Sequence, residues 1–535
     1  MRFWNKLKRP SHSAEERGWR RGGQEGGNLE RMYTFDWLDK QAQLYPSKTA
    51  LVDAATGRRL TYPEFQIRAS RVAEFLSDEW GIQPGDRVAL LAYNSSDYFE
   101  ILYGCAKIGA VLVCLNWRLA VPELAFIVED ATPSALIYDD EFAEAATALA
   151  NRQKIDRLLP MSAYEEALSQ TSGQPIVMPP TKLDTPWFLL YTSGTTGRPK
   201  GVIQTHGMVF YNALNIGNPI GLNANDVSLN LLPFFHTGGL NLFTNPTLMF
   251  GGTAVIQRSF DPQQTFHLLA EEVTVFFGVP AVYLFLSQHE DFAKTDFSNI
   301  RSWACGGSPM PLSLLETYAE RGIIIRQGFG MTETGPTVFL VDEANAVNKG
   351  GSVGKPQLFV EVRIVDREGI DLPQGEMGEL LIRGPGVTPG YWQLPDVTAA
   401  TITPEGWLHS GDVARCDEEG YYYIVDRWKD MYISGGENVY PAEVENVLFY
   451  HPAIADVAVI GIPDAKWGEV GKAVIVLEPG NPVTEAEILA FCQERLAKYK
   501  IPKTTVFVDE LPRNAAGKVV KTELQKRFSE YISPQ

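Results

Sequence analysis

A chain of 535 residues is longer than one hydrophobic core organises and calls for at least two domains. Its 45% hydrophobic and 21% charged residues describe an ordinary globular protein, and its net charge of −18 argues against nucleic acid as a partner, because backbone phosphates would be repelled. The five cysteines (Cys105, Cys114, Cys305, Cys416 and Cys492) are scattered and contain no CxxC pair, which argues against a disulfide framework or a zinc site and points to a reducing, cytoplasmic setting.

The first 31 residues carry eight Lys or Arg against four Glu and lack the apolar stretch of a secretory signal. Residues 1–30 are expected to form a disordered basic arm. The alternative is weak peripheral contact with an anionic membrane, anchored by Phe3 and Trp4. From Arg31, strands over 87–92, 111–114 and 134–138 alternate with helices over 97–107 and 122–128, the βαβ rhythm of a mostly parallel sheet covered by helices. A buried strand is predicted over 187–190. The rhythm returns with strands over 253–256, 273–277, 302–305 and 323–327. The apolar run 275–286 is broken by Gly278 and Pro280 and is too short to span a membrane. Between 354 and 426, strands over 361–365, 379–382 and 421–425 with punctuation such as Gly384-Pro385-Gly386 predict a small β subdomain. After Arg427 come a glycine-rich loop, a helix over 441–450, strands over 457–460 and 473–477, a helix over 484–497, a strand over 505–508 and a terminal helix from Val519. The expected class is α/β. A large domain over 31–428, of two α/β lobes plus a β subdomain, precedes a small α+β domain over 429–535, with the boundary near Trp428 and Lys429.

Six segments carry chemistry beyond structure. Tyr191-Thr192-Ser193-Gly194-Thr195-Thr196-Gly197-Arg198-Pro199-Lys200-Gly201 combines glycines, hydroxyls and an ammonium, the donors a polyanion needs. It is not a Walker A loop, since Pro199 and Gly201 stand where that motif wants Gly and Ser or Thr. Gln327-Gly328-Phe329-Gly330-Met331-Thr332-Glu333-Thr334 follows a predicted strand, places an aromatic between glycines to flank a flat base, and offers oxygen ligands in Thr332 and Glu333. Trp407-Leu408-His409-Ser410-Gly411-Asp412, with Ile424 and Arg427 beyond, supplies a carboxylate able to accept from two hydroxyls. Cys305-Gly306-Gly307-Ser308-Pro309 is small enough to let an apolar chain lie on the backbone. Pro233-Phe234-Phe235-His236-Thr237-Gly238-Gly239 sets a histidine in an apolar stretch. Asn514-Ala515-Ala516-Gly517-Lys518 presents a lysine ahead of the last helix.

Together, and in their order along the chain, these segments resemble the motifs of the ANL superfamily of adenylate-forming enzymes, in its acyl-CoA synthetase branch; the resemblance runs roughly from Tyr33 to Arg527. It implies ATP, Mg²⁺ and CoA as cofactor and co-substrates. It also implies that Thr192, Ser193, Gly194, Thr195, Thr196 and Lys200 cradle phosphates, that Glu333 holds Mg²⁺, and that Thr332 meets the α-phosphate. Asp412 and Arg427 correspond to its ribose contacts, while Gly307, Gly328, Phe329, Gly330 and Ile424 fall around the nucleoside. Phe235, His236, Gly238, Cys305, Gly306 and Met331 correspond to its acid pocket, with His236 positioning substrate. Lys518 corresponds to the lysine that bridges the acid carboxylate and the α-phosphate. The small domain is then mobile about Lys429, and its rotation brings Tyr432-Ile433-Ser434-Gly435-Gly436-Glu437-Asn438 to the site, where Gly435 and Gly436 let a pantetheine arm pass.

The implied activity is ligation of a medium- to long-chain fatty acid to CoA through acyl-AMP, with an aryl or succinylbenzoate-type acid as the alternative. No Lys or Arg occurs between Gly201 and Thr253 to pair a second carboxylate, and no acidic residue between Leu231 and Asn245 to pair an amino acid's ammonium. The latter disfavours a peptide-synthetase adenylation domain. A degenerate nucleotide sensor would show lesions at Lys200, Glu333, Asp412 or Lys518, and all four are intact. The expected partners are small molecules, and a homodimer is left open.

Overall fold

A computed structural model describes residues 32–193, 198–513 and 518–528. The basic arm, Gly194, Thr195 and Thr196 of the first motif, and Asn514 to Gly517 ahead of Lys518 lie outside the described residues. Among the described residues there are five sheets, the smallest only the two-stranded pair Tyr33–Thr34 with Thr181–Lys182. The first lobe is a six-stranded sheet ordered Pro199–Thr205, Pro186–Ser193, Val111–Cys114, Arg87–Leu91, Ala135–Tyr138, Leu158–Pro160. The second lobe has nine strands, with Ile325–Gly330, Ser302–Cys305, Val275–Gly278 and Val227–Asn230 adjacent and parallel at its centre. Its far edge comes from the N-terminal stretch: Thr49–Asp53 crosses over to pair in parallel with Thr253–Ile256, and Arg59–Thr61 pairs antiparallel with Thr49–Asp53.

Glu361–Val365, Gly378–Arg383, Leu408–Cys416 and Tyr422–Arg427 form an antiparallel four-stranded sheet, the expected β subdomain. The smaller C-terminal domain pairs Ile454–Asp464 with Gly468–Leu477 and adds Thr504–Phe507 in parallel.

Local chemistry explains the elements. Helix Ser96–Ile108 starts where Ser95 accepts from the Tyr98 backbone N–H and stops at Gly109, whose φ of 71° suits a residue without Cβ. It buries Phe99, Ile101 and Leu102. Val111–Cys114 is buried at all four positions, as a strand covered on both faces must be.

Several boundaries differ from expectation. The helix predicted over 441–450 ends at Leu448, the one over 484–497 at Gln493, and the terminal helix begins at Lys521. The two ends of the Tyr191 to Gly201 run are antiparallel strands rather than loop, with Lys200 paired to Thr192 and Gly201 to Tyr191. The strand expected over 323–327 is Ile325–Gly330, turning from parallel pairing with Ser302–Cys305 to antiparallel pairing with Thr337–Leu340. Glycine permits this: a Cβ on Gly330 would sit 1.9 Å from the Pro336 carbonyl oxygen, and one on Gly328 2.8 Å from that of Phe339.

Where the lobes meet, Trp187 stacks on His206 with ring centroids 4.8 Å apart and 8° between planes, while its indole N–H donates to Leu102 O at 3.0 Å. His206 is 2% exposed, and burial pulls its pKa down to about 4. An ordinary histidine titrates near 6.5, so between these values the unfolded chain binds the extra proton and folding loses stability as pH falls. The expected loss from this residue is about 2 kcal/mol at pH 5 and about 3 kcal/mol once the pH is below 4. Urea unfolding of the wild type and His206→Gln at pH 7.5 and pH 5 checks it: the variant's deficit should shrink on acidification. A deficit independent of pH would refute the assignment.

Candidate active site

The hairpin Pro186–Ser193/Pro199–Thr205 lies at the edge of the first sheet and delivers Lys200. The ammonium of Lys200 sits 4.9 Å over the centre of the Tyr391 ring. The Tyr391 hydroxyl donates to Glu333 Oε1 at 3.0 Å. The turn bearing Thr332 and Glu333 follows the strand Ile325–Gly330 and is held from two sides. Gln204 Nε2 donates to the Thr332 carbonyl at 2.8 Å, and the Thr388 backbone N–H donates to the Glu333 carbonyl at 2.8 Å. Residues of both lobes therefore converge here.

Asp412 and Arg427 come together because they are directly opposite in the pairing of Leu408–Cys416 with Tyr422–Arg427; Arg427 Nε lies 3.8 Å from Asp412 Oδ1. Gly411, at φ 71°, makes the bend before Asp412. Ser410 Oγ donates to Leu380 O at 2.6 Å and accepts from Asp412 N at 3.1 Å. Glu379 braces the same bend, lying 3.0 Å from His409 Nδ1 through Oε2 and accepting from Gly411 N at 3.3 Å through Oε1. Asp412 is 8% exposed. Burial pushes its carboxyl up to about 6, with the Arg427 and Lys518 charges pulling the other way.

Lys518 reaches this cluster from the C-terminal domain. Burial lowers its pKa to about 8, as does the Arg427 charge, while Asp412 and Glu333 oppose the shift. It remains mainly cationic at neutral pH. Nearby, the Ala442 backbone N–H donates to Asp426 Oδ2 at 3.0 Å, and Lys521 pairs with Glu445 at 2.8 Å. Tyr450 of the C-terminal domain donates to Glu316 of the second lobe at 3.3 Å. Lys429 is exposed, one residue past Trp428, whose N–H donates to Gly411 O at 2.9 Å.

Phe329, Met331 and Ile424 pack on one apolar cluster with Phe339, Leu380 and Ala414. Phe235 and Cys305 are buried in the cores of the two lobes, Phe235 edge-on to Trp117 at 6.0 Å. Half-buried His236 has its ring centroid 4.6 Å from that of Phe235. Behind it, the wide helical turn Gly238–Leu242 is of the kind frequent at functional sites. A Cβ on Gly239 would lie 2.4 Å from Pro233 O, whereas one on Gly238 would meet nothing nearer than 3.5 Å. Gly307 takes φ 88° beyond buried Gly306.

Gly435 and Gly436 are not brought to this cluster. They are the exposed two-residue turn of the hairpin Tyr432–Ser434/Glu437–Val439, with φ 62° and 92°. Both central residues of such a turn need positive φ, which glycine adopts without strain. The neighbours of this hairpin, Trp467 and Glu469, belong to the C-terminal domain.

Tyr391, Thr388, Gln204 and Glu379 are site residues that sequence reasoning missed. Gly390-Tyr391-Trp392, an aromatic pair after a glycine in an irregular stretch, was the available signal for the first. As to a metal, among the described residues no group of three or more His, Cys, Asp or Glu could hold one. Glu333 supplies a single carboxylate, a donor set that fits Mg²⁺, which keeps its waters and completes its shell on phosphate oxygens.

A charged cluster built from two α/β lobes and a β subdomain, with a lysine lent by a separate small domain, is the arrangement of the adenylate-forming class. The chain belongs to the AMP-binding enzyme family: residues 38–392 match the AMP-binding enzyme model and residues 443–518 the model of the AMP-binding enzyme C-terminal domain. It is 43% identical to a feruloyl-CoA synthase of Amycolatopsis over 493 residues, 92% of this chain and 98% of the relative. It is 38% identical to the long-chain-fatty-acid–CoA ligase FadD13 of Mycobacterium tuberculosis over 507 residues, 93% and 99% of the two. The structure of o-succinylbenzoate CoA synthetase from Bacillus subtilis with its acyl-adenylate intermediate superposes with a TM-score of 0.84 at 34% identity, covering 92% of this chain and 98% of that one.

Proposed function

We propose that this protein is an ATP-dependent acid–CoA ligase that activates a medium- to long-chain fatty acid as acyl-AMP and passes the acyl group to the CoA thiol. The observation that carries the class is Lys518 of the small domain lying in the shared field of Asp412, Glu333 and Arg427. The relatives support it, being CoA ligases by name, and one solved relative holds an acyl-adenylate. The fatty acid is supported by the likeness to FadD13 and by the lack of Lys or Arg between Gly201 and Thr253. An aryl acid is the second reading, supported by 43% identity to a feruloyl-CoA synthase.

In the first half-reaction a carboxylate oxygen attacks the α-phosphorus of ATP and pyrophosphate leaves. Two anions must meet, and Lys518 offsets their repulsion in the transition state. Asp412 and Arg427 fix the ribose. Lys200, with Thr192, Ser193, Gly194, Thr195 and Thr196, holds the phosphates, and Thr332 meets the α-phosphate. Glu333 would hold Mg²⁺, which supplies charge neutralisation on the phosphate oxygens. His236, Gly238, Gly306 and Met331 border the acid, backed by Phe235 and Cys305, and Gly307, Phe329 and Ile424 border the nucleoside.

In the second half-reaction the CoA thiol loses its proton, sulfur attacks the acyl carbonyl, and AMP leaves with the bonding electrons of the mixed anhydride. Lys518 has no part in that step. Rotation of the domain beginning at Lys429 withdraws it and presents Gly435 and Gly436 to the pantetheine arm.

Pyrophosphate release across a panel of fatty, hydroxycinnamic and amino acids, with and without CoA, tests the assignment. The expected result is release with fatty acids that CoA accelerates. Release with hydroxycinnamates alone selects the second reading, and release with amino acids alone overturns both.

A further inference from the structure

We propose that Tyr391 is a positioning residue that keeps Lys200 and Glu333 oriented but apart, so that both are available to a metal–nucleotide; this rests on the adenylating function argued above. Lys200 and Glu333 are opposite charges brought to one point by different lobes. With nothing between them they would collapse into an ion pair, each cancelling what the other offers a ligand. Tyr391 stands between, and its two ends suit the two charges. Its ring face takes the Lys200 ammonium, 4.9 Å from the centroid. Its hydroxyl gives a charge-assisted hydrogen bond to Glu333 Oε1 at 3.0 Å and leaves Oε2 for a cation.

The backbone holds the ring there. Ile203 N donates to Gly390 O at 3.2 Å and Trp392 N to Gly201 O at 2.7 Å, laying residues 390–392 along the strand that carries Lys200. Thr398 Oγ1 accepts from Tyr391 N at 3.0 Å. Gly390, at φ 145°, leaves no room for a Cβ, which would lie 2.4 Å from Thr398 Cγ2. Through Thr388 N the same segment also binds the Glu333 carbonyl. One short segment thus holds Glu333 by backbone and side chain, and Lys200 by the ring and through the backbone of its strand at Gly201 and Ile203.

The test separates the two ends of the tyrosine. Tyr391→Phe keeps the ring and loses the hydrogen bond, whereas Tyr391→Leu loses both. With acid and CoA omitted, Mn²⁺ is titrated into the enzyme–ATP complex and followed by electron paramagnetic resonance, and ATP binding in EDTA is measured by calorimetry. Tyr391→Phe should weaken Mn²⁺ about tenfold, as loss of a residue that orients a metal ligand does, with metal-free ATP affinity within about twofold. Tyr391→Leu should also weaken metal-free ATP binding about threefold, as Lys200 loses its seat. In turnover, the KM for MgATP should rise with that for the acid unchanged, a split that general loosening would not produce. Wild-type Mn²⁺ affinity in Tyr391→Phe overturns the inference, and a wild-type enzyme that binds no ATP overturns instead the adenylating function beneath it.

Discussion

Lys518→Ala is expected to slow pyrophosphate release about 10²–10³-fold, the 3–4 kcal/mol that one preorganised contact to a developing charge contributes. Thioester formation from supplied acyl-AMP should stay close to wild type, because in the proposed two-step scheme the lysine leaves the site before that step. Folding should be retained, since the side chain is held against its own desolvation and alanine removes that cost. Quenched-flow assays of the two half-reactions measure both numbers. Loss of both activities, with an unchanged melting midpoint, would contradict the division of labour between two domain orientations.

The complementary change is Gly436→Leu. Its φ of 92° penalises any side chain by about 1–2 kcal/mol, but no atom lies within 4 Å of the new Cβ, so the hairpin survives. Gly435 is the poorer choice, because a Cβ there would press on the Trp467 ring at 2.9 Å. Leucine at 436 would obstruct the passage of pantetheine once the domain has turned. Thioester formation should fall about a hundredfold, nearly 3 kcal/mol at the transition state, while pyrophosphate release without CoA stays within twofold. Equal loss in both half-reactions would place the turn in adenylation and sink its assignment to CoA. Together the variants form a double dissociation that a single rigid active site would not give.

Much of this site could be read locally because each part is a short run whose chemistry lies in its own residues. A glycine- and hydroxyl-rich stretch with a lysine announces a polyanion wherever it folds, and Asp412 needs only a bend before it to be presented. Tyr391 could not be read this way. Its meaning comes from Lys200, 191 positions earlier, and Glu333, 58 earlier, and only the pairing of residues 390–392 with an edge strand brings the three together. Glu379 is the same case, bracing the Asp412 bend from an adjacent strand. The close approach of Thr337–Leu340 and its preceding proline gives the glycines at 328 and 330 a packing requirement that no local pattern showed.

By itself the sequence determined the α/β class, the order of the lobes, the β subdomain and the chemistry of the motifs, because hydrophobic period and turn residues act over a few positions. Tertiary structure decided what depends on partners distant in the chain. It sent Thr49–Asp53 and Arg59–Thr61 to the second lobe's sheet and paired Pro199–Thr205 antiparallel with Pro186–Ser193. It set Lys518 in the field of Asp412 and Glu333 while leaving Gly435 and Gly436 in solvent. Strand pairing and domain contact join groups scores to hundreds of residues apart, and no local pattern encodes which distant strand or which charge will be met.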